Sequence, residues 1–350
     1  MHEPVESFLV KIARSCSQET FVLREFGILP GSLAILLNGL NNRLCQLDKL
    51  DLSCNKIGDE GGTLIGEFLA SNRTLKTLVL QGSSIGPPGQ RAIFDALKGK
   101  NTSLSSLDLG CCGAGKNVCG DEGCLALAEA LRRNTSLARL SLSANRLSPG
   151  MMSSLSRGLG RNLYLTQLDL SDNMIHDEGA TSLAQSLSLL HLSELSLCRN
   201  SIASSGAEKI AYAIELGKPG ITTLDLSGNA VGYGGCRAFA DILSYKNTVL
   251  TALKLRSCSL HLQEVEGILR YPRSLTMTDL SKNEIGDKGL LHLSRVLASN
   301  RSIQHVDLSF NSIGDAGASA LSSVLKTNES LTELDVSWNN LREAGLHSLC

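Results

Sequence analysis

Aromatic residues make up only 4% of this 350-residue chain, and tryptophan occurs once, at Trp338. So sparse a supply excludes the rows of base-stacking platforms that single-strand nucleic-acid binders use. An excess of one charge is also missing: 33 Lys and Arg stand against 34 Asp and Glu, a net of -1. There is thus no basic footprint for nucleic acid. No apolar run reaches the length of a membrane span. The opening residues, MHEPVESFLVKIARSCSQ, lack the basic start and long apolar stretch of a signal peptide. The 11 cysteines are therefore read as reduced thiols of a cytoplasmic protein. No Pro-, Gly- or Ser-rich linker divides the chain, so it is read as one domain.

What the chain has is a repeat. A motif close to LxxLxLxxNxIxxxG recurs eleven times at a spacing near 28 residues, beginning at Leu47, Leu75, Leu104, Leu137, Leu165, Leu192, Ile221, Leu250, Leu275, Ile303 and Leu331. The LxLxx stretch alternates apolar and polar residues as a short strand does, and the residues after the glycine follow a helical period. Strand, turn, helix, turn is the predicted unit, an α/β leucine-rich-repeat solenoid. In the unit at Leu165, the residues Leu168, Leu170, Ile175, Leu183 and Leu187 are the predicted core. One unit cannot bury its own apolar face, so stability comes from stacking.

Asparagine follows the strand at Asn55, Asn145, Asn173, Asn200, Asn229, Asn283, Asn311 and Asn339, with Ser83, Cys112 and Cys258 in its place elsewhere. Its amide is expected to bond the turn backbones of adjacent units. A glycine follows (Gly61, Gly89 and their equivalents), where a side chain would crowd turn against helix. Acidic pairs such as Asp59-Glu60 and Asp177-Glu178 precede it and suit the positive end of a helix. N-x-S/T sequons at Asn72, Asn101, Asn134, Asn300 and Asn328 all share one position between helix and next strand, and are read as turn residues.

Residues 1–46 are expected to form an N-terminal helical cap, with a short amphipathic helix over 4–15, and a degenerate repeat whose helical half is Gly31 to Leu40 and whose strand is lost. Residues 47–350 hold the eleven repeats, the last incomplete; the stop at Cys350 points to a longer protein or to a partner over that face. The third unit carries about five extra residues between Gly110 and Gly123, a place where binding often concentrates. Cys111, Cys112, Cys119 and Cys124 fall within or beside it, but without paired CxxC spacing no zinc or other cofactor is assigned. The eighth unit is short and its helix should be irregular.

In a parallel stack, equivalent residues form rows. The outward strand row is mainly Asp (Asp51, Asp108, Asp169, Asp225, Asp279, Asp307, Asp335), with serine two positions on, so the strand face is expected to be lined by acids and hydroxyls. Three groups depart from consensus. Asp169, Asp172, Glu194 and Asp225 concentrate negative charge; Lys254, Arg256 and Lys282 form a basic patch; Phe310 and Trp338 share a row in adjacent units. His305 lies on the same face. Exposed aromatics beside charges have the composition of an interface hot spot, and these ten residues are the predicted partner-binding set. The seven histidines fall into no nucleophile arrangement, and the carboxylates form a regular row rather than a pair with separated pKa values, so the chain is not read as an enzyme.

With units of 28 to 29 residues and the LDLSxNxIGDEG core, residues 47–349 resemble the ribonuclease-inhibitor-like class of leucine-rich repeats, which includes the repeat regions of NOD-like receptors and of the Ran GTPase-activating protein. The resemblance implies a horseshoe with parallel strands on the concave face, helices outside, and a protein-interaction scaffold binding on the concave face. The alternative it implies is a GTPase activator for a Ran-like small GTPase, although the long acidic tail of that family is absent and its functional loop residues have no match here. A third implication is nuclease inhibition, although the alternating cysteine and asparagine repeat types of that inhibitor are not seen.

Overall fold

The computed structural model describes residues 19–41, 46–99, 101–111, 115–216, 220–245, 249–260, 262–270 and 274–349. The expected helix over 4–15 and Cys112 lie outside them. The chain divides into two compact units, Met1–Met174 with Leu189–His191, and Ile175–Ser188 with Leu192–Cys350. The first holds strands β1 (Thr20–Val22), β2 (Lys49–Asp51), β3 (Thr77–Val79), β4 (Ser106–Asp108), β5 (Arg139–Ser141) and β6 (Gln167–Asp169). They alternate with helices α1 (Pro30–Leu40), α2 (Gly58–Ser71), α3 (Pro87–Leu97), α4 (Gly120–Leu131) and α5 (Pro149–Leu159). Each strand pairs in parallel with the next in sequence.

The second unit begins with α6 (His176–Leu187) and continues β7 (Glu194–Ser196), α7 (Ser204–Leu216), β8 (Thr223–Asp225), α8 (Gly232–Tyr245), β9 (Ala252–Lys254), α9 (Leu262–Arg270), β10 (Met277–Asp279), α10 (Gly286–Ser299), β11 (His305–Asp307), α11 (Asp315–Leu325), β12 (Glu333–Asp335) and α12 (Glu343–Leu349). Its strands are likewise parallel and in sequence order. This is the leucine-rich-repeat solenoid that the period predicts. The five residues named as core in the unit at Leu165 are all buried. Helix α9 has nine residues where α10 has 14, in line with the shortened eighth unit.

The first coil corrects an expectation. Its strand is not lost: Phe21 pairs with Leu50, and Phe21 and Leu23 are buried where later coils bury two leucines. A phenylalanine in the first leucine position hid the motif.

Two asparagine ladders tie coil to coil. Asn55 Nδ2 donates to Leu23 O and Leu52 O, both at 2.8 Å, while its Oδ1 accepts the Ile28 N–H at 2.9 Å. Asn229 repeats this with Leu197 O and the Ile202 N–H in the second unit. In the third repeat the sequence alignment puts Cys112 at this position, but Asn117 does the work: it donates to Leu80 O at 2.8 Å and accepts the Ile85 N–H at 2.9 Å. The extra residues precede the asparagine and displace it along the sequence without displacing it in space. The second ladder is made by the sequon asparagines. Asn101 is fully buried, donates to Leu69 O at 2.9 Å and accepts the Leu104 N–H at 2.9 Å. Each such bond contributes about 0.5–1.5 kcal/mol net, and an orphaned partner costs about 1–3 kcal/mol.

The acidic residues before the repeat glycine have a longer reach than helix-start chemistry in their own coil. Asp59 Oδ1 accepts the Gly86 and Gly89 N–H groups of the following coil at 2.7 and 3.1 Å. Asp177 caps Ala203, Asp287 caps Gly314 and Gly317, and Asp315 caps Arg342 and Gly345 in the same way. The glycine is required because a Cβ on Gly89 would come within 2.7 Å of Ile85 Cγ2 and 2.9 Å of Asp59 Oδ1. Helices begin about one turn before it, at Gly58 or Gly286 for example.

Candidate functional site: the strand face and its turn edge

The strand register places the predicted residues. In the second unit Asp225, Lys254, Asp279, Asp307 and Asp335 stand side by side in one row, and Thr223, Ala252, Met277, His305 and Glu333 in another, with Glu194 opposite Thr223. Lys254 therefore interrupts a row of carboxylates. His305 Nε2 is 3.3 Å from Glu333 Oε2. A depression of about 360 Å³ lies across these rows, lined by Lys254, Met277, Asp279, His305, Glu333 and Asp335 among others. Met277 and Glu333 were not singled out from the sequence, although the strand alignment puts them beside His305.

The carboxylate row is turned into its own coils. Asp225, Asp279, Asp307 and Asp335 each accept the backbone N–H two residues on, at 2.8 to 2.9 Å, and Asp279 also accepts the Ser281 hydroxyl at 2.6 Å. Ser53, Ser227, Ser281 and Ser309 are buried. This corrects part of the expected hydroxyl lining: these four serines fix the turn, whereas Ser143 and Ser171 are half-buried and Ser337 is exposed. Asp108, the equivalent acid of β4, has its carboxyl pushed above the usual range by burial, against the opposing hydrogen bonds from Gly110 and Gln81.

The four acids expected to concentrate charge lie on three different rows. Asp169, in the first unit, accepts the Ser171 N–H and hydroxyl at 2.9 and 2.6 Å. Asp172 is in the turn after β6 at φ +57°, Glu194 opens β7 and Asp225 closes β8. Asp169 and Asp225 are engaged as the other strand acids are.

The basic and aromatic residues of the second unit do come together. Lys282, Phe310 and Trp338 hold the same turn position, each with positive φ of 55–57°. The coil demands this backbone: Cys54, Ala144, Arg199 and Ser257 share it, and Gly82 and Gly228 fill it without a Cβ penalty. A bulky side chain there costs about 1–2 kcal/mol. Phe310 and Trp338 nevertheless stack, with ring centroids 5.4 Å apart and planes inclined by 9°. Lys282 Nζ lies 4.9 Å from the centroid of Phe310, and the Arg256 guanidinium 6.0 Å from it. Arg256 also donates to Ser281 Oγ at 2.9 Å. Trp338 is 77% exposed.

The comparisons with known proteins agree with the repeat fold. The Leucine Rich repeat family matches residues 45–66, 71–94, 161–184, 221–240, 273–294, 299–322 and 327–350. Human NACHT, LRR and PYD domains-containing protein 5 is 29% identical over 293 residues, 74% of this chain and 24% of that protein. Human NACHT, LRR and PYD domains-containing protein 12 is 32% identical, over 85% of this chain and 30% of that protein. Ribonuclease inhibitor from Sus scrofa is 28% identical over 75% of this chain and 63% of the inhibitor. The chain thus spans between 24% and 63% of the length of these relatives. Among solved structures, an internalin from Listeria monocytogenes superposes with a TM-score of 0.53 over 99% of this chain and 91% of that one, at 17% identity, a likeness of fold alone. Repeat motif, coil geometry and relatives converge: the chain belongs to the ribonuclease-inhibitor-like leucine-rich-repeat family.

Proposed function

We propose that the chain is a protein-recognition scaffold that holds its partner on the strand face and turn edge of the second unit, from Lys254 to Trp338. The observation that carries this reading is the stacked Phe310–Trp338 pair. Two bulky rings occupy a backbone conformation that disfavours them and stack on each other at the turn edge. Folding stability gains little from such an arrangement, whereas an interface gains two rigid, flat anchors. His305, Glu333 and the depression beside them extend the surface. Glu194 and Asp225 of the same unit serve as secondary contacts, and Asp169 and Asp172 are contacts proposed on the first unit by itself. Binding, not catalysis, is the proposed role. Burial of the sequon amide of Asn101 and of the Cys236 and Cys258 thiols supports an unglycosylated, reduced, cytoplasmic chain. Among the described residues no helix is long and apolar enough to cross a membrane.

The test is quantitative capture of a cross-linked partner by the intact chain and by the Phe310→Ala/Trp338→Ala variant. Loss of capture with an unchanged circular dichroism spectrum is the expected result, and equal capture by both proteins would refute the placement. A second reading comes from the similarity to ribonuclease inhibitor. An inhibition assay against a pancreatic-type ribonuclease examines it directly, with Asp225→Asn as the charge variant.

A further inference from the structure

We propose that the turn edge from Arg256 to Trp338 takes an acidic peptide segment of the partner, whose carboxylates seat on Arg256 and Lys282 beside the stacked rings of Phe310 and Trp338. This rests on the reading of that surface as the partner-binding face and adds the sign of charge and the chemistry of the occupant.

The cations carry the first part. Lys76 pairs with Asp48, Arg91 with Asp95 and Glu122, and Lys98, Arg132 and Arg133 with Glu129. No ion pair among the described residues involves Arg256 or Lys282; both lie instead against the face of Phe310. A ring orients an ammonium or guanidinium without neutralising it, so the positive charge remains for an anion to pair with, although one Arg256 Nη1 N–H is already given to Ser281 Oγ. The nearby strand acids Asp279 and Asp307 each direct Oδ1 at the backbone of their own turns. A depression of about 300 Å³ opens beside Lys282, lined by Ser257 and Ser259 with Glu284 as its one acid. That is room for a carboxylate side chain with hydroxyl donors at hand.

The ring pair carries the second part, the positioning of the cations. Lys282, Phe310 and Trp338 form a ladder of cation, ring and ring along one row, with steps of 4.9 and 5.4 Å. Both rings are already flat and parallel, so the ammonium over Phe310 is held in place before an anion arrives. Nucleotides share this chemistry, but a single exposed ring pair and a net charge of -1 favour a peptide over a polyanion.

Trp338 is the only tryptophan, so its emission reports on the site alone. The intact chain is titrated with the peptide Glu-Glu-Glu-Tyr-Glu-Glu, with its Lys-for-Glu counterpart, and with an oligothymidylate. The expected result is a saturable change in emission with the acidic peptide, weakened by added salt. Arg256→Ala/Lys282→Ala should lower that affinity by about tenfold or more, with the circular dichroism spectrum unchanged. A tighter response to the basic peptide, tighter binding of the oligothymidylate, or no saturable response to the acidic peptide would each overturn the proposal. Those outcomes leave the capture test untouched: partner capture that still depends on Phe310 and Trp338 would show the surface correctly placed and its charge preference wrongly assigned.

Discussion

At the scale of the residue, the departures from the repeat consensus are what the sequence shows most clearly and explains least. Thr278 stands on β10 where β2 has Leu50 and β8 has Leu224, and its buried hydroxyl has no hydrogen-bond partner. An unpaired buried hydroxyl costs about 1–3 kcal/mol, so Thr278→Val should stabilise the second unit by about 1 kcal/mol, read as a higher urea midpoint with an unchanged m-value. Cys258 is a related case. It takes the place of a ladder asparagine, and burial pushes its thiol up to about 12, so it stays protonated and donates weakly to Leu226 O at 3.3 Å. Cys258→Asn restores a stronger donor to Leu226 O and offers an acceptor to the preceding turn; a gain of about 1 kcal/mol in thermal unfolding is expected, and a loss would mean that the shortened ninth coil has no room for the amide. The strand leucines and turn asparagines were legible from spacing alone. The positive φ under Phe310 and Trp338 was not, because most coils use polar or small residues there and nothing in LxxLxLxxN states a backbone conformation. The same holds for the orientation of Ser53, Ser227, Ser281 and Ser309, whose burial follows from turn hydrogen bonds that a row of letters does not contain.

At the scale of the element, an acidic residue at the start of one helix works on the next. Asp287 lies in the first turn of α10, where its charge suits the helix dipole, yet its Oδ1 accepts the Gly314 and Gly317 N–H groups at 2.7 and 2.9 Å at the start of α11. The two roles separate experimentally. Asp287→Ala should cost about 1 kcal/mol and expose the Gly314 and Gly317 amides to faster hydrogen exchange. Asp287→Asn, which keeps the acceptor and drops the charge, should retain most of the protection. If Asn and Ala behaved alike, the dipole of α10 would be the main contribution and the cross-coil cap a minor one. The motif GDxG predicts an acid near a helix start; only coordinates show that the helix it serves is one coil away. The first coil makes the complementary point: its helix was legible from GSLAILLNGL, whereas its strand, with Phe21 at the leucine position, was read as missing.

At the scale of the whole molecule, the ladders and caps run between sequence neighbours, except that Gln90 Nε2 in the first unit donates to Asn145 Oδ1 at 2.9 Å across an intervening coil; within each unit, the described helices touch substantially only the helix before and the helix after. The second unit shows no such skip among its described residues, so a local defect has little to spread through and stability is close to a sum of coil and neighbour contributions. Leu224 is fully buried at the centre of β8 in the second unit. Replacing it by alanine leaves a cavity and should cost about 2–5 kcal/mol. In a globular domain with one shared core, that loss would lower the protection of every slowly exchanging amide together. Here the loss should fall on the amides of β7, β8 and β9 and their helices, while β11 and β12, two or more coils away, keep their native exchange rates under conditions that populate partial unfolding. The separation matters for the proposed surface, because Phe310 and Trp338 lie on the distant coils and should keep their stacked geometry, and with it the Trp338 emission, while β8 is frayed. A uniform loss of protection across the second unit in Leu224→Ala would show that its coils unfold as one cooperative block, and that the partner surface depends on a core well beyond its own neighbours.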